Sequence, residues 1–158
     1  PISAADLLLG KSIPYSFIAI TDVLIAILMG QALFGVIMKS GFGLMVAASS
    51  IYIAVALALG LLISTVTKSQ LIANQGAILI TYLPSLLLSN FVFPIINMPK
   101  VLQLLTYIVP ATYYIDILGG IYLKNLGFVD LWRDFAVLGF MVFLLGAINV
   151  VLLKKEGL

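Results

Sequence analysis

Four long apolar stretches set off by brief polar breaks make up most of the chain. Ile13 to Gly30 reads "IPYSFIAITDVLIAILMG" and continues into the apolar tail "QALFGVIM". Gly43 to Val66, "GLMVAASSIYIAVALALGLLISTV", carries no charge at all. Leu71 to Phe93 is polar near its start and holds Pro84 near its middle, and Phe135 to Leu153 is closed by Lys154 and Lys155. A helix needs about 20 mostly apolar residues to cross about 30 Å of hydrocarbon, and each stretch has that length. None alternates with period two, as strands of a closed barrel do. The pattern therefore predicts an all-α integral membrane protein, with spans at about residues 13–33, 43–66, 71–93 and 133–153 of a single membrane domain.

Between the third and fourth stretches the pattern changes. Residues 94–125 are still apolar, but Pro94, Pro99, Pro110 and the pair Gly119 and Gly120 divide them into pieces too short to cross a bilayer. Arms such as "VLQLLTYIV" and "ATYYIDILGGIYL", on either side of Pro110, fit a re-entrant hairpin. A pair of amphipathic helices lying flat on the surface is the other reading. Tyr107, Tyr113, Tyr114, Tyr122 and Trp132 are placed as an aromatic rim at the headgroup boundary.

Composition supports this picture and excludes several others. The chain is 63% hydrophobic and 9% charged, with a mean hydropathy of +1.26, against the about 25% charged residues of ordinary soluble domains. A net charge of +2, thinly scattered, offers no surface for nucleic acid. With neither Cys nor His, thiolate nucleophiles, thiolate zinc sites and imidazole acid-base chemistry are out of reach. There is no phosphate-binding loop, zinc-protease helix or nucleophile elbow, so no catalytic residue, metal ligand or resident cofactor is expected. Basic residues fall evenly on the two sides, with Lys11, Lys68, Lys154 and Lys155 opposing Lys39, Lys100, Lys124 and Arg133, which leaves the orientation open. The chain begins at Pro1 and is expected to be part of a longer protein.

Several residues stand out from this background. Asp22 lies inside the first span, where a carboxylate costs about 2.5–3.5 kcal/mol on insertion scales. It is expected to face protein or water, either within a translocation path or in a helix–helix hydrogen bond. Small residues recur every fourth position in the second span, as Ser50, Ala54 and Ala58 and as Ala56, Gly60 and Ser64, a pattern read as close helix packing. Pro84 frees the Ile80 carbonyl and should bend the third span, along which Asn74, Gln75, Ser85, Ser89 and Asn90 add polar points. Such a helix suits a cavity wall, and ordinary interhelical hydrogen bonding is the alternative. At the start, Ser3 and Asp6 are spaced as a capping box, with Ile2 and Leu7 as a hydrophobic staple. That predicts a short helix over Pro1 to Lys11 at the membrane surface, the alternative being a frayed end.

Taken together, "ADLLLGKSIPY", "TDVLIAILMG", "LALGLLISTVTKSQ" and above all "SNFVFPIINMPKVLQLLTYIVPATYYIDILGGIYLKN" resemble the C-terminal half of a type-2 ATP-binding-cassette transporter permease of the bacterial exporter kind. The resemblance implies a six-helix subunit, of which these are the last four spans, in the bacterial inner membrane with both ends of this chain cytoplasmic. It implies a second permease copy or homologue and a cytoplasmic ATPase as partners, with ATP and Mg used by the ATPase and not by this chain. On that mapping Ser3, Asp6 and Lys11 belong to the ATPase-coupling segment. The outer re-entrant hairpin carries Pro94, Pro99, Pro110, Tyr113, Tyr114, Asp116, Gly119 and Gly120, and the path wall carries Asp22, Asn74, Gln75, Pro84, Ser85, Ser89 and Asn90. Relatives often have Gly at Asn90, a polar or acidic residue at Ile96, a basic residue at Gly119 and Pro at Ile37. The implied function is export of an amphipathic or hydrophobic substrate by alternating access. The rival readings are a non-transporting membrane scaffold and an exporter of lipid-linked glycan.

Overall fold

A computed structural model describes residues 4–67 and 69–155. Ser3 lies outside the described residues, and of Asp6 only the helical backbone is described. All regular structure among the described residues is helical. The elements are α1 (Ala4–Phe34), α2 (Phe42–Val66), α3 (Gln70–Leu88), α4 (Lys100–Thr106), α5 (Pro110–Lys124) and α6 (Phe128–Lys155). Of these, α1 from Gly10, α2, α3 and α6 are long and apolar enough to cross a membrane.

α1 runs without a break through the segment expected to form a separate surface helix, and Pro14 sits inside it. At about 1.5 Å per residue its 31 residues extend about 46 Å, well beyond a hydrocarbon core of about 30 Å. An interior proline is tolerated in such a helix because neighbouring groups can take up the freed carbonyl.

α3 departs from regular geometry where the sequence indicates. Ile78–Tyr82 widens to π-helix immediately before Pro84, and the Leu83 N–H bonds back to the Ile78 carbonyl. Proline cannot donate the next bond of the ladder, and an inserted residue is a common way to absorb that loss. The helix stops at Leu88, short of the expected Phe93, because Asn90 takes a left-handed conformation with φ 67. Asparagine is among the few residues that tolerate this region.

Beyond Asn90 a single 3-10 turn, Ile95–Asn97, leads into α4, and α4 and α5 meet at an angle of 82° across Pro110. The glycine pair does not break the second arm. Gly119 and Gly120 both have right-handed helical angles, and the helix continues through them, widening to π-helix over Gly120–Lys124. Gly120 is a close-approach position: a Cβ there would lie 2.8 Å from Leu131 Cδ2. Asn125, at φ 53, ends α5, and the Leu126 N–H reaches back to the Gly120 carbonyl at 3.0 Å.

The core is made by four of the helices. Ile27 of α1, Met45, Ala48 and Val55 of α2, Ile117 and Ile121 of α5, and Leu131, Phe135 and Leu138 of α6 form one buried cluster. α2 and α6 share the most extensive contact, α1 packs on α2, and α5 packs on both α6 and α2. α3 packs on α2 but buries none of its own residues. Large apolar side chains cover much of the outside, Phe17 and Phe143 each being 75% exposed, as expected where lipid replaces water.

Candidate functional site

The hairpin is held at its elbow and at its exit by different chemistry. At the elbow, the buried Thr112 hydroxyl lies 3.0 Å from the Thr106 carbonyl and 3.2 Å from the Leu88 carbonyl, both of them acceptors. One side chain thus ties together the end of α3, the end of α4 and the first turn of α5. Thr106 donates to the Gln103 carbonyl at 2.7 Å, and the Tyr113 hydroxyl donates to the Tyr107 carbonyl at 2.8 Å. At the exit, Ser40, between α1 and α2, donates from its backbone N–H to Ile121 O at 3.2 Å and from its hydroxyl to Leu126 O at 2.9 Å. Lys39 Nζ donates to Leu123 O at 3.1 Å. These donors meet carbonyls at the C-terminal end of α5, where a helix leaves acceptors unpaired and where a cation is favoured.

Tyr114 and Tyr122 do not stand on an aromatic rim. Both are partly buried against the core, because Ala111, Tyr114, Ile117, Leu118 and Ile121 recur at helical spacing and form the inward face of α5. Tyr114 stacks on Tyr52 of α2 with ring centroids 4.4 Å apart and planes 4° from parallel, and its hydroxyl lies 2.9 Å from Ser49 Oγ. Tyr107 and Trp132 remain exposed.

Three cavities lie along α3. The first, about 390 Å³, opens between α2, α3 and the elbow, with Tyr52, Ala56 and Gly60 on one wall, Thr81 and Ser85 on another, and Pro110 at the elbow. The second, about 570 Å³, is an apolar groove between α3 and the approach to α4, lined by Leu83, Pro84, Phe93, Pro94, Met98 and Pro99 among others. The third, about 240 Å³, is bounded by Tyr52, Tyr82, Ser85, Ser89, Phe91 and Tyr114.

Of the residues expected in a translocation path, the fold brings Pro84, Ser85 and Ser89 to these cavities. Ser89 is 1% exposed and its hydroxyl has no hydrogen-bond partner. Asn90 is exposed, and its Oδ1 accepts the Ile95 N–H at 3.2 Å, closing the turn after α3. Asp22, Asn74 and Gln75 line none of the three cavities, and all are exposed, Asp22 on α1 and the other two near the start of α3. α1 and α3 share no extensive contact, so these groups do not converge.

Of the expected hairpin residues, Pro94 and Pro99 line the groove and Pro110 forms the elbow. Partial burial raises the Asp116 carboxyl above its ordinary value, opposed by hydrogen bonding to Asn90 and by the charge of Lys124. Lys11, expected in the coupling segment, is exposed on α1.

The small-residue faces of α2 diverge in use. Asn149 of α6 donates from Nδ2 to the Ala58 carbonyl at 2.9 Å, so that side of α2 is a packed seam. Ala56, Gly60 and Ser64 are exposed, and a Cβ at Gly60 would meet nothing within 4 Å. The expected close packing therefore holds for one face and gives way to a cavity on the other. Tyr52, Ser49, Thr112, Lys39, Ser40 and Asn149 were not singled out from the sequence. A weak signal existed for Tyr52, the one aromatic hydroxyl in a charge-free aliphatic span. No cluster of metal-ligating side chains occurs among the described residues.

Comparison with known proteins gives this arrangement a context. Residues 1–151 match the family model described as ABC-2 family transporter protein. Over 124 residues, 78% of this chain and 33% of the relative, the sequence is 38% identical to the probable multidrug ABC transporter permease YbhS of Escherichia coli strain K12. Over 134 residues it is 30% identical to the probable multidrug ABC transporter permease YbhR of the same strain, covering 85% of this chain and 36% of that protein. The chain thus spans about one third of the length of the curated relatives it matches. No solved structure matches it.

Proposed function

Since the chain belongs to the ABC-2 transporter family, we propose that it is the last four spans and the outer hairpin of the permease subunit of an ATP-driven exporter. The observation that carries this reading is that the family match runs over all four apolar helices and the bent α4–α5 pair as one unit. The cargo is an amphipathic or hydrophobic molecule leaving the cytoplasm, which suits the predominantly apolar cavities along α3 and follows the multidrug naming of the two relatives. A second permease copy or homologue and a cytoplasmic ATPase complete the machine, with ATP and Mg consumed by the ATPase. Both ends of this chain face the cytoplasm of a bacterial inner membrane, and the α1 region carries the push.

In this reading α2 and α6 form a frame, and α3 with the α4–α5 hairpin forms the part that repacks during alternating access. α3 is suited to that task because it buries nothing and already contains a widened turn. The hairpin caps the outer end of the path, clamped at its exit by Lys39 and Ser40.

The test is reconstitution of the full-length protein with its ATPase in proteoliposomes, following vanadate-sensitive, ATP-dependent transfer of a lipophilic dye. Transfer and permease-dependent ATPase activity are expected, and absence of both would leave the scaffold reading in possession. Gly119→Leu probes the cap separately. A Cβ at Gly119 meets nothing within 4 Å, so the variant should melt like wild type. Stiffening this turn, by up to about 1 kcal/mol of helix propensity, should slow export. Export at the wild-type rate would remove the hairpin from the moving parts.

A further inference from the structure

The cavity at the Pro110 elbow has features that packing does not account for. Its lining residues include no Asp, Glu, Lys or Arg, so a charged guest would enter without a counter-charge. At one end stands Tyr52, whose ring is already stacked on Tyr114. Tyr52 lines this cavity and Tyr114 does not, so the Tyr52 member of the stack is the one that borders this space. Ser85 of α3 lines the same cavity as Tyr52 and supplies a hydroxyl to its wall. Toward the other end α2 presents Ala56 and Gly60, both exposed, where a bulky residue would have filled the space. Small molecules bind in cavities of about 300–1,000 Å³ with apolar walls and a few fixed polar groups, and this cavity of about 390 Å³ has that make-up.

We propose that this cavity is a binding site for an uncharged aromatic molecule. Its ring extends the Tyr52–Tyr114 stack, and its hydroxyl or carbonyl group meets Ser85. A saturated lipid chain would gain nothing from the stack and would leave the hydroxyls facing alkyl groups, whereas a flat ring uses both. The site sits against α3, assigned above to repacking, and the elbow borders it. The inference rests on the exporter reading only for its purpose: it makes the occupant a cargo, while the binding itself stands on the cavity.

The experiment uses the full-length protein in lipid nanodiscs and the neutral photoprobe 3-trifluoromethyl-3-phenyldiazirine, with labelled positions mapped by mass spectrometry. Saturable labelling is expected within residues 52–60 and 80–85, above a non-saturable background at lipid-exposed Phe17 and Phe143. Uncharged 1-naphthol should suppress the saturable part, and tetraphenylphosphonium should not. Gly60→Leu, whose Cβ would meet nothing within 4 Å and whose side chain would extend into the cavity, should abolish saturable labelling without lowering the melting temperature. Tyr52→Leu should weaken naphthol competition about tenfold, the effect of losing one stacking contact.

Labelling spread evenly over all exposed helix faces would overturn the site. So would unchanged saturable labelling in a Gly60→Leu protein that melts normally, or labelling that appears only after subunits are dissociated, which would assign the space to a neighbouring helix. Equal competition by the cation would overturn the preference for neutral guests. Saturable, naphthol-sensitive labelling in a protein that transports nothing supports the site and overturns only the exporter reading.

Discussion

α2 buries Met45, Ala48, Ser49, Ile53 and Val55 in its N-terminal part, whereas α3, which packs against it, buries nothing between Gln70 and Leu88. Both are apolar helices of spanning length. The difference lies in their partners: α2 is gripped by α1, α5 and α6, and α3 meets α2 and the hairpin approach around open cavities. Burial inside a membrane protein is therefore not a consequence of hydrophobicity, since lipid accepts an apolar side chain as readily as a neighbouring helix does. It follows from shape, and from the few polar groups that must find each other.

The contrast can be broken most sharply in the core. Leu138 of α6 is fully buried, and Leu138→Ala should cost about 2–5 kcal/mol. Ile78→Ala on α3, 56% exposed, should stay within about 0.5 kcal/mol. Chemical unfolding in detergent checks both, and equal losses would mean that α3 is clamped as firmly as the frame. Next in size is Gly120→Leu, which must push Leu131 out of the core and should cost about 1–3 kcal/mol, visible as a lowered melting temperature that Gly119→Leu does not share. The smallest effect sharpens the comparison instead. Thr112→Val removes the hydroxyl that links α3 to the elbow, an interaction worth about 0.6–1.7 kcal/mol in membrane interiors. Hydrogen exchange should quicken in residues 89–108 while α2 and α6 stay protected.

The same reasoning explains what could be read from the sequence. The spans were legible because uninterrupted apolar length is a property of the chain alone, and the elbow was legible because Pro110 cannot continue a helix. The end of α3 was placed too late, since Ser89 and Asn90 lie inside an apolar run and only the left-handed backbone at Asn90 stops it. Gly119 and Gly120 were expected to break α5, yet glycine in a helix held by neighbours is a spacing device, and Leu131 is the neighbour that needs the space. Tyr114 was expected at the rim because tyrosine favours interfaces, but its position in the 3.6-residue register turns it toward Tyr52. Of the candidate path, Pro84, Ser85 and Ser89 are brought together because they share one end of α3, whereas nothing in a one-dimensional pattern says that Asp22 lies on a helix with no extensive contact to it. Lys39 and Ser40 were invisible as a clamp because their acceptors lie more than eighty positions away.

That separation has a consequence for how the protein is made. Ser40 Oγ bonds a carbonyl 86 residues further along the chain. A ribosome adding about 5–20 residues per second takes on the order of 5–20 s to supply the missing partner. For most of that interval α1 and α2 are already synthesised, but the turn between them lacks its acceptors at Ile121 and Leu126. The seam therefore closes late in biogenesis, only after Leu126 has been added.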